Sequence, residues 1–262
     1  MLLPSLSLAR RELVRFWRQP HRVIGALGTP VVFWLLLGAG FGRSLNVGDG
    51  SSYITFFFPG TLLMILLFTA IFSTISVIED RREGFLQSVL VAPISPAAIV
   101  LGKVLGGTAL AAGQGAVFLL LGPLVGIWLS PGQVLATLGV MALTAFGLTA
   151  MGFAIAWRMN STQGFHAVMN LFLMPLWFLS GAIFPPGGAW TPLRWAVAAN
   201  PLSYGLSALR QAMGLSAAPA PEGEPFGSLP FVANVAVALA ATAFIFALAR
   251  FVARRATPGD LQ

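Results

Sequence analysis

The chain has 262 residues, 57% hydrophobic and only 9% charged, with a formal net charge of +7 and a mean hydropathy of +0.85. Soluble domains carry about a quarter charged residues, so an ordinary water-soluble fold does not fit, and apolar blocks of twenty or more residues match the roughly 30 Å of a bilayer's hydrocarbon. Cysteine is absent, which removes disulfides, thiolate metal sites and a cysteine nucleophile; the bases flank apolar stretches, favouring anionic lipid over nucleic acid as their partner.

Residues 1–22 are charged, and at about 100° per residue Leu6, Ala9, Leu13, Phe16 and Trp17 share one side of a helix while Arg11, Arg15, Arg18 and Arg22 lie opposite. Such a helix lies in the interface plane, either as an elbow leading into the first span or simply as an orientation signal. A cleaved signal peptide fits poorly, because the apolar stretch that follows is long and no small-x-small site precedes Arg43.

The uncharged tract 23–42 reads as the first span and 54–78 as the second. From Val104 to Trp157 the chain has twice the length of a crossing, with Ser130-Pro131-Gly132 supplying turn chemistry, so spans are expected at 104–129 and 133–157. A fifth span covers 163–183, stopped by Pro185-Pro186-Gly187-Gly188, and a sixth covers 229–249. The expected fold is an all-α integral membrane protein with six transmembrane helices in one transmembrane domain, 1–262.

Six spans place both termini on one side. Twelve of the fifteen bases fall on that side (Arg10, Arg11, Arg15, Arg18, Arg22, Arg81, Arg82, Lys103, Arg158, Arg250, Arg254, Arg255), against Arg43, Arg194 and Arg210 on the other. Bases concentrate on the cytoplasmic side, so both termini are expected there, in the plasma or inner membrane.

Two segments outside the spans carry structure of their own. After Glu79-Asp80-Arg81-Arg82-Glu83-Gly84, the residues Phe85, Leu86, Val89 and Leu90 form an apolar stripe on a short helix, 83–91, before Pro93. Headgroups, the chain's own span ends or a second protein must cover it, and the adjoining acids and bases favour a docking surface. On the outer side, 184–228 is expected to hold re-entrant or surface helices, one starting at the Asn200-Pro201 cap with Leu202, Leu206, Leu209 and Met213 on one face. Residues 217–225 read as an exposed loop.

No Asp, Glu, Lys or Arg falls within the proposed spans; the acids Glu12, Asp49, Glu79, Asp80, Glu83, Glu222, Glu224 and Asp260 all lie outside them. That argues against proton or sodium coupling through a buried carboxylate. His166 opens the fifth span at headgroup level. A dyad with Ser180 is ruled out along that helix, because fourteen residues separate them by about 21 Å. No His-Glu-x-x-His or Gly-x-Ser-x-Gly occurs, and Gly102-Lys103 lacks a phosphate loop's first glycine, Ala97 standing there, and its hydroxyl residue, Val104 following. The pairs Gly38 with Gly42, Gly102 with Gly106 and Gly122 with Gly126 are spaced for close helix contact, within the chain or between copies.

Taken together, the pattern resembles the membrane subunits of ATP-binding-cassette exporters of the type-2 permease family, over nearly the whole chain. The resemblance is carried by Phe58-Pro59-Gly60, by Arg82-Glu83-Gly84 through Leu90 and Ala92-Pro93 to Gly102-Lys103, and by Asn200-Pro201-Leu202-Ser203-Tyr204 through Leu209-Arg210. It implies a non-enzymatic transport subunit working as a pair, a homodimer by expectation, with cytoplasmic ATPase subunits that hold the ATP and magnesium. No cofactor is then expected in this chain itself. The same resemblance makes the segment carrying Glu83, Gly84, Phe85, Leu86, Val89 and Leu90 the coupling helix that docks the ATPase. It makes Phe33, Trp34, Phe57, Phe58, Thr61, Phe172 and Trp177 candidates for lining a pathway for a drug-like molecule, lipid or glycolipid. Two other classes stay open: a membrane enzyme acting on lipid through Glu79, Asp80, Glu83 and His166, or a channel or carrier that needs no ATPase.

Overall fold

The structure, a computed structural model, describes residues 2–41, 52–85, 94–183, 190–215 and 229–254. These form helices α1 (Leu2–Trp17), α2 (Pro20–Phe41), α3 (Tyr53–Ser73), α4 (Ile75–Arg82), α5 (Pro96–Leu119), α6 (Pro131–Ala156), α7 (Thr162–Phe178), α8 (Thr191–Ala199), α9 (Pro201–Ala212) and α10 (Phe231–Arg254), with a 3-10 turn at Gly122–Val125. No strand occurs among the described residues. Five stretches are long and apolar enough to cross a membrane: Ile24–Phe41, Tyr53–Arg82, Pro96–Leu119, Pro131–Ala156 and Phe231–Arg254. The helix in the expected fifth span, α7, has 17 residues and ends at Phe178, after Pro175.

Local chemistry sets the helix starts. Ser130 and Gln133 form a reciprocal capping box with Pro131 in the first turn, and Asn200 accepts from the Leu202 amide ahead of Pro201. Ser95 caps α5 in the same way, accepting from Ala98. That start differs from the expected third span at 104–129. The helix begins eight residues earlier, and Lys103, read as a boundary charge, lies buried within it. The α5–α6 turn is correspondingly longer, with Gly126 at φ 81°.

The second span also runs further than its apolar tract. After Ser73 the chain passes through Thr74, whose hydroxyl donates to the Ile71 carbonyl at 2.6 Å, and continues as α4 to Arg82. Thirty residues extend about 45 Å at 1.5 Å each, more than the hydrocarbon thickness, so the charged last turns emerge from it.

The combined α3–α4 stretch is the central post: 83% of its 18-residue apolar window is buried by the rest of the chain, against 17% of the corresponding windows in α2 and α10. Val32, Leu35 and Leu36 on α2 and Val232, Leu239 and Phe244 on α10 are correspondingly exposed, as surfaces facing lipid or a second copy must be. At the end of the bundle holding the N-terminus of α3, Arg210 is buried. It donates to the Gly181 carbonyl at 3.0 Å and lies 4.5 Å over the Phe56 ring, pinning α9 to α3. Burial pushes its guanidinium down to about 10, which leaves it charged at neutral pH.

The close contacts of Gly102, Gly106 and Gly38 are made inside the chain. A Cβ on Gly102 would come within 2.8 Å of both the Leu8 Cβ and the Ser5 carbonyl oxygen, and one on Gly106 within 2.8 Å of the Glu12 Cβ, so the pair forms a seat for α1. One on Gly38 would meet Ile54. Replacing Gly102 with leucine is expected to lift α1 off α5, because overpacking against backbone costs about 1–3 kcal/mol. Protease cleavage near Arg18 should then accelerate in purified protein; an unchanged cleavage rate would show that α1 is not held there.

Candidate functional site

At the charged end of the bundle, three segments distant in sequence meet around Asp80, which is fully buried. Arg11 of α1 grips it with both guanidinium nitrogens, each 2.8 Å from a carboxylate oxygen. Arg15, one turn on, donates to the same carboxylate at 3.0 Å and pairs with Glu79 at 3.0 Å and Glu83 at 3.4 Å. From α5, Lys103 donates to Asp80, to Glu12 at 2.6 Å and to Ser76 at 3.2 Å.

Glu12 and Lys103 are nearly as inaccessible as Asp80, each 5% exposed. Buried charges of this kind persist because each is paired and hydrogen-bonded. The hydrogen bond to Asp80 raises the pKa of the Arg11 guanidinium above its ordinary value. The expectation that no charge falls within a span is corrected here for Asp80 and Lys103, which lie in the long helical stretches Tyr53–Arg82 and Pro96–Leu119, in turns near one end, paired with each other and with α1.

The cluster also fixes what α1 presents. Ser5, Leu8, Ala9 and Glu12 are buried, with the Ser5 hydroxyl donating to the Ala98 carbonyl at 3.0 Å. Leu6 and Trp17, by contrast, are 55% and 74% exposed. Leu6 and Trp17 thus point outward on the apolar face that periodicity marks, whereas Ala9, expected on that face, turns inward with Ser5, Leu8 and Glu12. Two signals in the sequence pointed to it: the lone lysine sits between Gly102 and Val104, and Glu12 is the one acid among the N-terminal arginines.

Neighbouring Arg81 faces the other way. It donates to the Asn160 side chain at 2.9 Å and to the Trp157 and Met159 carbonyls, closing the C-terminus of α6 onto α4. Its charge is used inside the chain, so it is unavailable as a simple docking base.

Of the six residues assigned to docking, the structure describes three. Glu83 has a side chain 59% exposed. Gly84 ends α4 with φ 74°, a left-handed turn that glycine adopts without strain. Phe85 is half-buried, its ring capped at 3.7 Å by the Arg11 guanidinium. Leu86, Val89 and Leu90 lie outside the described residues.

Most of the proposed lining residues are packed within one copy. Trp34, Phe57, Phe58, Thr61 and Trp177 are 2% exposed or less. Trp177 donates its indole N–H to the Gly60 carbonyl at 2.8 Å, and Trp34 to the Ile54 carbonyl at 3.1 Å with its ring edge-on to Phe58. Phe33 is half-buried against Trp177, and Phe172 is 62% exposed. His166 is exposed beside Phe72, and Ser180 is buried with its hydroxyl donated to the Trp177 carbonyl, so the two are separate.

Residues 5–213 match the model of the family described as ABC-2 type transporter. The chain is similar to nodulation protein J of Rhizobium leguminosarum bv. viciae, 27% identical over 195 residues that cover 73% of this chain and 74% of that protein. It is similar also to the putative transport permease ycf38 of Cyanophora paradoxa, 27% identical over 207 residues covering 78% and 71%. A third relative is the daunorubicin resistance ABC transporter permease protein DrrB1 of Streptomyces coeruleorubidus, 23% identical over 216 residues covering 80% and 74%.

Proposed function

The chain belongs to the ABC-2 type transporter permease family, and on that premise we propose that it is the membrane half of an ATP-driven exporter for a hydrophobic or amphipathic substrate. The observation that carries the reading is the state of the buried charges. Asp80, Glu12 and Lys103 are locked in one network with Arg11 and Arg15, which leaves no buried carboxylate there to carry a proton or sodium cycle. Energy then enters from another chain, an ATPase subunit with its own ATP and magnesium.

The contact for that subunit is the segment beginning at Glu83, Gly84 and Phe85 and continuing through Leu86, Val89 and Leu90. In this reading α7, extended by its following turn, is the fifth of six crossings, the charged end and both termini face the cytoplasm of the plasma or inner membrane, and two copies pair. In the same reading α8 and α9 cover the outer end. The exposed apolar surface of α7 at Leu171 and Phe172 then contributes to the route between copies, while the buried aromatics behind it hold that surface in place. Binding of ATP shifts the pair between two arrangements through this one contact, since a ligand biases states only by differential interaction.

Substrate class follows from the same surfaces, which are apolar and aromatic; that one relative's name refers to daunorubicin resistance agrees with it. The test is reconstitution with the ATPase subunit that co-purifies with the chain. Drug-like or lipid substrates should stimulate ATP hydrolysis and be moved only when both chains are present. Transport by liposomes containing this chain alone would overturn the proposal in favour of a self-sufficient carrier.

A further inference from the structure

Helix α7 stops short of a crossing. Its 17 residues rise about 25 Å at 1.5 Å each, less than the roughly 30 Å of hydrocarbon, so its last carbonyls and those of the following turn need partners inside the protein. Side chains supply them. Asn200 donates to the Leu176 carbonyl at 2.7 Å, Arg210 to that of Gly181 at 3.0 Å and Tyr53 to that of Ile183 at 3.1 Å. The Ser203 hydroxyl, 2.7 Å from the Val197 carbonyl, also stands 3.3 Å from that of Leu179. Asn200 opens α9, and Ser203 and Arg210 follow along the same side of it, so one helix face meets the whole turn. The rest of α9 is anchored elsewhere: Leu202, Leu206 and Leu209 are buried, and Gln211 donates to the Leu229 carbonyl at 2.9 Å and accepts from Asn234 of α10 at 3.2 Å.

Arg210 is the unusual member of this clamp. It is 7% exposed, its Nε has no partner, and no carboxylate among the described residues pairs with it. Its charge is met instead by the Gly181 carbonyl, by the Phe56 ring at 4.5 Å and by the negative end of α7. Gly181, at φ 78°, makes the left-handed turn from which its carbonyl reaches the guanidinium. Burying a cation without an acid is costly, and a neutral amide such as that of Asn200 satisfies a carbonyl without that cost. What the charge adds is strength, since a charged donor makes a hydrogen bond about twice as strong as a neutral one.

We infer that Arg210 is a positioning residue: by holding the Gly181 carbonyl it fixes the outer end of α7 to α9, and so sets how the Leu171 and Phe172 surface of α7 is presented. The inference deepens the export reading and rests on it for what that surface does; the clamp itself is a property of this chain. Without Arg210, α7 keeps its helix but its outer end swings independently of α9.

The chain lacks cysteine, so a single Leu171→Cys, at a position 70% exposed, takes a bimane label at one place. Hydrogen exchange and bimane emission are measured on the labelled chain in phosphatidylcholine nanodiscs, without ATPase or nucleotide. Arg210→Met, which keeps the length of the side chain and removes its charge and donors, should speed exchange over 176–183 about tenfold, leave α10 at the parent rate and shift the emission. Arg210→Lys, which keeps a charged donor, should restore both readouts to within about twofold of the parent. Phe56→Leu removes the ring over the guanidinium and should speed exchange over 176–183 by a smaller factor; it decides the matter should Arg210→Met not fold. Parent-like exchange in Arg210→Met and Phe56→Leu would overturn the inference. So would acceleration spread equally over α10, or a lysine variant no better than the methionine one.

Adding the co-purifying ATPase subunit with ATP should then shift the emission of the parent and Arg210→Lys chains and leave that of Arg210→Met unmoved. Absence of an ATP response in the parent, with the exchange results intact, removes the export reading and keeps the clamp. A response of parent size in Arg210→Met removes the positioning role and leaves the export reading standing.

Discussion

Alanine at Asp80 is expected to be the most damaging single substitution in the chain, lowering stability by about 3–5 kcal/mol. The carboxylate is fully buried and shared by Arg11, Arg15 and Lys103. Removing it leaves three cations around a space that water does not freely enter, with Glu12 able to answer chiefly for Lys103. Replacing both members of a buried pair by apolar groups, by contrast, is often close to neutral. Asp80→Leu combined with Lys103→Met should therefore recover a substantial part of what Asp80→Leu loses. Thermal unfolding of the detergent-solubilised chain measures both, and the sign of the non-additivity is the decisive quantity. Simple additivity would mean that the residues do not act as a unit.

The second large effect belongs to function. Glu83→Lys and Phe85→Asp should each reduce ATP-driven transport about tenfold or more, equivalent to at least 1.4 kcal/mol of lost coupling, while ATP hydrolysis by the partner continues. Glu83 is more than half exposed, so reversing its charge should move stability by no more than about 0.5 kcal/mol, and membrane insertion should persist. The two substitutions act at the point where the ion cluster meets the proposed docking segment. Arg11 holds Asp80 with its nitrogens and covers Phe85 with its face, so a displacement of Phe85 is passed to α1 and, through α1, to the start of α2. Transport that proceeds at the native rate in both variants would remove the coupling assignment.

Both expectations show how unevenly the molecule can be read from its residues. The break at Ser130-Pro131-Gly132, where the structure adds a capping box with Gln133, and the Asn200-Pro201 start are visible in the sequence, because turns and caps satisfy backbone groups within four residues of themselves. The long apolar helices are visible for a similar reason, since hydrocarbon demands a continuous run. Lys103 misleads because its cost depends on a partner 91 residues away, Glu12, and a paired charge does not end a helix. The aromatics of α2, α3 and α7 are candidates for a pathway through the family resemblance; burial in one copy claims Trp34, Phe57, Phe58 and Trp177, and leaves Phe172 outside.

What the amino-acid sequence determined by itself is the membrane class, the family, the approximate course of the helices and the charged character of one end. Each follows from local composition or from periodicity that neighbours in the chain already specify. The tertiary structure alone decided which side of α1 turns inward, which glycines receive it, and that Asp80, Lys103, Arg11 and Arg15 close into one salt-bridged cluster beside Phe85. Those outcomes are set by desolvation, whose cost to a charge or a small residue depends on what folding brings against it, and that is not written in its neighbours along the chain.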